Sequence, residues 1–463
     1  MQRISKHLSL ACEGGAVYRL LLQGVSQQEL EIQQDLLTAA YGAEVRLSRL
    51  HPAAPSRLLQ TVQRHQAKLG AVNASTALHL LAQAVPSASP ASPVSASVAG
   101  ALLSAASQPT AEPRDLAVAS WASAKLQLSN CDALQALQDA IQAAAERLDG
   151  QDVANVCWAF ASMDSSVASQ PHFFATLADA AVPKIRDHFS ARHVAITCWA
   201  LAKVRLPHDD FILAAAGAMQ GSKADGWMPQ DLSNFLWSSA ALRCDLPLPL
   251  ELIAQRAAQL TWQQFKPQEL SICMWAAYTL GVVDGRGASI RAVKRMLQHA
   301  AREIRVRGAE DFEARHLLNS AWALARWQRH CRLVGWQQEC KDYVCRPALR
   351  ILAEAAKNGG FQRFRPHELS RLIWAVASQS CLKLRPMGPP LLDYVRSPEK
   401  LVAFDPDALV SLVTSLAWIL ERLVWELPGR RTHSRIVPES PREVPAMDPA
   451  AFVGSSGSAL WDF

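Results

Sequence analysis

Eight polar residues recur along the chain in one phase: Arg114, Gln151, Arg192, Gln230, Gln268, Arg315, His367 and Asp407. All can make directional hydrogen bonds. Four positions after each lies a second column: Val118, Asn155, Ile196, Asn234, Ile272, Asn319, Arg371 and Ser411. It alternates between amide-like and apolar residues, as a base-selecting position would. Seven positions further on, a third column includes Lys125, Lys203 and Arg326, which suit phosphate. Phosphate contacts supply affinity and register, and contacts to base edges supply sequence choice. Steps of four and seven keep the three columns on one stripe of an α-helix. A plainer expectation stands beside this one: the first column is simply the exposed second position of each helix, and the asparagines satisfy a neighbouring turn.

The elements that must position these residues are marked by a tryptophan seven positions after the first column. Trp121, Trp158, Trp199, Trp237, Trp275, Trp322 and Trp374 fill seven registers, and Thr414 stands in the eighth. Their spacings are 37, 41, 38, 38, 47, 52 and 40 residues. Ten positions before each stand Leu148, Phe189, Trp227, Phe265, Phe312, Phe364 and Phe404, and eight before stand Pro113, Pro229, Pro267, Pro366 and Pro406. Proline suits the first helical position, where its missing N–H would be unpaired anyway. Two residues later Asp115, Asp152, Asp231, Glu269 and Glu368 complement the positive end of the helix dipole. A helix is therefore expected from the proline through the tryptophan. The preceding aromatic acts as a staple fixing the approach of the chain, and the tryptophans are expected in the core.

The other half of each period is helical in pattern too, as in residues 132–148 and 249–260. One helical pair cannot bury its apolar face alone, so the pairs should stack. The expected fold is all-α, an α-solenoid of seven to eight two-helix repeats over residues 111–426. Residues 1–85 read as an N-terminal helical region. The Pro/Ser/Ala-rich stretch 86–110 reads as a linker and 427–463 as a disordered tail.

The chain has 463 residues, half of them hydrophobic, which excludes a wholly disordered protein. The ten cysteines are scattered without a CxxC pair, a pattern of reducing compartments. Cys157, Cys198 and Cys273 lie in apolar segments and read as small buried hydrophobes. Positive charge is concentrated. Residues 286–371 carry 18 Lys and Arg against 8 Asp and Glu, pointing to an anionic partner. Within that third, Arg291, Arg295, Arg302 and Arg305 fall near one helical face beside Lys294, a phosphate track if the partner is nucleic acid. A solvated face, a membrane surface or a protein partner would use the same residues.

The phased core P-x-[DE]-L-[AS]-x-x-x-W-A-x-A in tandem two-helix units resembles the octotricopeptide repeat family and related organellar helical-repeat proteins of algae and protists. The resemblance spans about 300 residues of the 463. It implies binding of single-stranded RNA in a chloroplast, or alternatively a mitochondrion. The implied role is in maturation, stability or translation of organellar transcripts, in company with other RNA-processing or translation proteins.

No P-loop, G-x-S-x-G, H-E-x-x-H or dinucleotide fingerprint occurs, and no catalytic residue, cofactor or metal is expected. His330, Cys331, Cys340 and Cys345 cluster, but with spacing unsuited to zinc. No run is long and apolar enough to span a membrane. Arg3, Lys6 and Arg19 near the start give a faint organelle-targeting signal. A protein–protein scaffold of armadillo or HEAT type is the alternative, with an acidic or apolar binding surface as its sign. An RNA-processing enzyme would need clustered acids or a metal on the basic face.

Overall fold

The computed structural model describes residues 26–41, 50–85, 94–128, 131–163, 170–219, 226–243, 250–284, 287–334, 345–378 and 388–425. The expected tail, the targeting segment and Cys340 lie outside them. Among the described residues every regular element is helical. Two compact units divide between Phe211 and Ile212.

In the first unit, α1 (Gln27–Tyr41) and α2 (Ala54–His65) form a hairpin, closed by His65 and Asp35 at 2.8 Å. Then come α3 (Ala71–Ala84), α4 (Ala96–Ala106), α5 (Pro113–Lys125), α6 (Cys131–Ala143), α7 (Gly150–Ser162), α8 (Pro171–Ala181) and α9 (Ala191–Lys203). The odd-numbered helices α3, α5, α7 and α9 pack side by side as one row, and α4 and α6 pack as a second row beside them. Helix α10 (Asp209–Gly217) carries the division between the units.

The second unit repeats the plan. Its first row is α11 (Pro229–Ala241), α13 (Pro267–Asp284), α15 (Ala314–Leu333), α17 (Pro366–Ala377) and α19 (Pro406–Trp425). Its second row is α12 (Leu250–Gln259), α14 (Gly287–Arg307) and α16 (Cys345–Asn358); α18 (Gly388–Val395) follows α17. Each unit is thus a stack of helical pairs, the architecture of an α-solenoid. The phased tryptophans all fall on the odd-numbered helices, so that row is the Trp row.

The Trp-row helices begin where the proline column puts their start. The acids two residues after the proline occupy the third helical position and cap the chain. Asp231, Glu269 and Glu368 accept from the backbone N–H of Met228, Lys266 and Arg365 at 3.0, 2.8 and 2.9 Å. Asp152 and Asp149 cap reciprocally. Where histidine replaces the acid the same bond persists: His193 and His316 accept through Nδ1 from Ser190 and Glu313 at 3.4 and 3.2 Å. Asp149 with Asp152 and Ser190 with His193 form full capping boxes, the N-cap side chain accepting in return; the other repeats make only the half from the third position. Gly150 stands where other repeats have proline. A Cβ there would meet His193 Nδ1 at 2.9 Å and the Phe189 ring at 3.0 Å, so only glycine lets α7 approach the next repeat this closely.

The column ten before the tryptophan is buried throughout, from Leu148 to Phe404. A second device locks it in three repeats. Lys184 bonds the carbonyl of Leu148 at 3.3 Å, Arg256 that of Trp227 at 3.2 Å, and Arg307 that of Phe265 at 2.8 Å. In each case a cation after the Trp-row helix returns to the residue that introduced it.

Two expectations change. The second half of the supposed linker is α4, packed on α3 and α6 with Val98, Ala99, Leu102, Leu103 and Ala106 buried. Its Ala-rich, uncharged composition matched a linker because small apolar residues serve equally for tight helix packing. And α3 belongs to the Trp row, so the repeat reaches upstream of residue 111. His79 holds the tryptophan register in α3, its ring 5.2 Å from that of Trp121.

Candidate nucleic-acid interface

Packing leaves the Trp-row helices few residues open to solvent as a window, α7 fewest, while α19 exposes Val410 and Val413 as well as Asp407. On α7 the only residues not buried are Gln151, Asn155 and Ser162. They stand in the three columns of the polar stripe. On α5 the window includes Arg114, Val118 and Lys125; on α9, Arg192 and Lys203; on α11, Gln230 and Ala241; on α13, Gln268, Ile272 and Thr279. On α15 it includes Arg315 and Arg326, and on α17 His367 and Arg371. Helix α3 shows the same register through Val72, Thr76 and Gln83.

The first column is accessible everywhere: Arg114, Gln151, Arg192 and Asp407 are exposed, while Gln230, Gln268, Arg315 and His367 are half-buried. The second column is not uniform. Asn155 and Arg371 are half-buried, but Asn234 and Asn319 are only 7% and 2% exposed. Asn234 Nδ2 is a buried donor without an acceptor. These two asparagines reach a ligand only if the helix surface opens around them.

The cations of the third column have a role that periodicity did not show. Lys125 Nζ lies 6.0 Å from the centre of the Trp121 ring and 5.9 Å from that of Trp158. The Arg326 guanidinium lies 5.3 Å from Trp322 and 5.0 Å from Trp374. Each bridges its own tryptophan and that of the next repeat. A cation over an indole face is attracted by the ring quadrupole. The groups expected to take phosphate are therefore held at the seam between repeats, with their outer edges in the stripe.

The tryptophans are core, as expected. Six are at most 9% exposed, Trp374 not at all, and Trp199 alone is half-buried. Buried rings cannot stack on bases. Cys157, Cys198 and Cys273 are buried, and burial pushes the Cys157 thiol up to about 12. Cys331 and Cys345 are buried too. No group of three His, Cys, Asp or Glu among the described residues is arranged to hold a metal.

Electrostatically each unit's stripe is basic. In the first unit it carries Arg114, Lys125, Arg192 and Lys203 with no acid in the three columns; in the second it carries Arg315, Arg326 and Arg371 against one acid, Asp407. Arg315 Nε is also 3.9 Å from Glu368 of the next repeat. Burial holds the His367 imidazole below its ordinary value, assisted by Arg371 and Arg365. A neutral imidazole both donates and accepts, which suits a base edge.

The basic helix that sequence reading weighed apart from the stripe lies apart from it in the structure. Arg291, Arg295 and Arg302 stand on α14, in the second row, away from the Trp-row window. Comparison with protein-family models found no match, and comparison with curated proteins found no relative.

Proposed function

We propose that this protein binds single-stranded RNA sequence-selectively along the exposed stripe of its Trp rows. The observation that supports the reading is the window itself. In repeat after repeat, packing leaves to solvent columns rich in amides and cations, with Asp407 their single acid. Arg114, Arg192, Arg315 and Arg371 neutralise phosphate. Gln151, Gln230, Gln268 and His367 offer donors and acceptors to base edges, with Asn155 beside Gln151. Because every position is fixed to a packed helix, the backbone is held in register before binding and only side-chain rotamers are ordered by it. Nothing in this action breaks a bond: the bound protein excludes nucleases or holds a strand unpaired. The octotricopeptide-repeat resemblance adds the setting, organellar transcripts of a chloroplast or mitochondrion, acting in their maturation, stability or translation.

A protein-binding scaffold would call for an acidic or apolar stripe, and the window is basic. The test is selection from a random single-stranded RNA pool by the full chain across a salt series. Enrichment of a motif, blurred by substituting Gln151, Gln230 and Gln268, supports the reading. Equal retention of all sequences rejects it.

A further inference from the structure

Helix α14 is amphipathic, and its two faces have separate fates. Ala292, Val293, Met296, Leu297, Ala300, Ala301 and Ile304 are buried against α12, α13 and α16. The opposite face carries Arg291, Arg295, Arg302 and Arg305, all exposed, with Lys294 and Gln298 half-buried between them. From Arg291 to Arg305 this ridge runs about 21 Å at 1.5 Å per residue. Arg295 meets Glu251 of α12. No ion pair engages Arg291, Arg302 or Arg305 among the described residues. Arg307, by contrast, is taken up by the fold. It bonds the Phe265 carbonyl, lies 3.9 Å from Glu303 and covers the Phe312 ring at 5.6 Å.

We infer that the outer face of α14 grips the phosphate backbone of a nucleic-acid duplex, as a second surface distinct from the Trp-row stripe. Three features choose this partner. The ridge is straight and rigid, since α14 is packed along its length. It has no Trp, Tyr or Phe, and its one ring, His299, is half-buried beside Arg295 and Arg302, so it offers little platform for the unpaired bases of a single strand. Duplex RNA is recognised mainly through shape, phosphate and sugar contacts, which a row of guanidiniums provides without base reading. A lipid surface fits less well: the apolar face that would enter the bilayer is already buried, and Val306 is the one large apolar residue of the described part of α14 that is exposed. That the duplex is RNA rests on the reading of the stripe given above; the grip on a phosphate backbone does not.

The test uses the full chain with a mixed-sequence 20-base-pair RNA duplex, from about 50 to 200 mM salt, where each lost duplex phosphate contact lowers the salt slope by about 0.9. Wild type should bind with a steep salt dependence. The triple variant R291Q/R302Q/R305Q, at unchanged helicity, should lower the slope by about 2 to 3 and weaken binding on the order of 100-fold. It should leave the motif selected from single-stranded RNA unchanged. Duplex binding that survives the triple substitution would overturn the inference, as would no duplex binding at 50 mM salt. Equal binding of polyglutamate through the same arginines would overturn it in favour of an acidic protein partner. A variant that loses duplex binding while wild type selects no single-strand motif would uphold α14 and sink the stripe reading instead.

Discussion

Replacing Arg326 by methionine isolates the contact that ties one repeat to the next. The change keeps an unbranched stem of helix-favouring character and removes the guanidinium. That group sits 5.3 Å from the Trp322 ring centre and 5.0 Å from that of Trp374, and the residue is half-buried. A single cation–π contact contributes about 0.5–1 kcal/mol when exposed and about 2 when desolvated. Two contacts at intermediate burial give about 2 kcal/mol, a factor of about 30 in the unfolding equilibrium. Urea unfolding of the full chain, followed by tryptophan fluorescence, measures it. A double-mutant cycle with Trp374→Leu should return a coupling of about 1 kcal/mol. The matching change Lys125→Met should cost less, since Lys125 Nζ lies about 6 Å from both its rings. A neutral or stabilising Arg326→Met, with no coupling to Trp374, would refute the idea that these cations are bound into the seam.

Other consequences follow from the caps, the histidines and the cysteines. Glu269→Ala should cost about 1 kcal/mol in a thermal or urea melt while Glu269→Gln costs much less, because either carboxamide or carboxylate can accept from the Lys266 N–H. His193 and His316 accept through Nδ1, and burial lowers both pKa values. A folded pKa below the unfolded one means their contribution is present above about pH 6.5 and is lost as pH falls. Replacing both with glutamine should flatten stability measured between pH 7.5 and 5. Asp152, raised to about 6 by burial and Asp149, has the opposite sign: its share is full below the unfolded value of 3.8 and lost as pH rises through about 6, so Asp152→Asn should steady stability across that window. Cys157 should resist a thiol reagent in the folded chain and react only on unfolding.

What could be read from the sequence follows from what a column of residues encodes. The tryptophan register, the proline starts and the accessible first column depend on local helical period, and the structure has them where the columns put them. The acids two residues after the proline were legible as dipole partners. Their capping bonds were foreshadowed by Asp149 with Asp152, but the proline-started repeats carry no side-chain cap to reveal them. The copy in α3 escaped notice because alanine replaces the proline at Ala71 and His79 replaces the tryptophan. Helix α4 was hidden in a composition shared by linkers and close-packed helices. The position of Lys125 and Arg326 over two rings depends on a helix one repeat away, as does the burial of Asn234 and Asn319. No single-helix pattern carries that information.

The central claim is that the Trp-row window reads RNA. Its most direct test compares wild type with a Gln151→Ala/Gln230→Ala/Gln268→Ala variant in selection from a random single-stranded RNA pool at physiological salt. The account predicts one enriched motif for the wild type, degraded at particular positions in the variant while total binding at low salt persists. A wild type that retains no RNA at low salt, or a variant that selects the same motif unchanged, would contradict it.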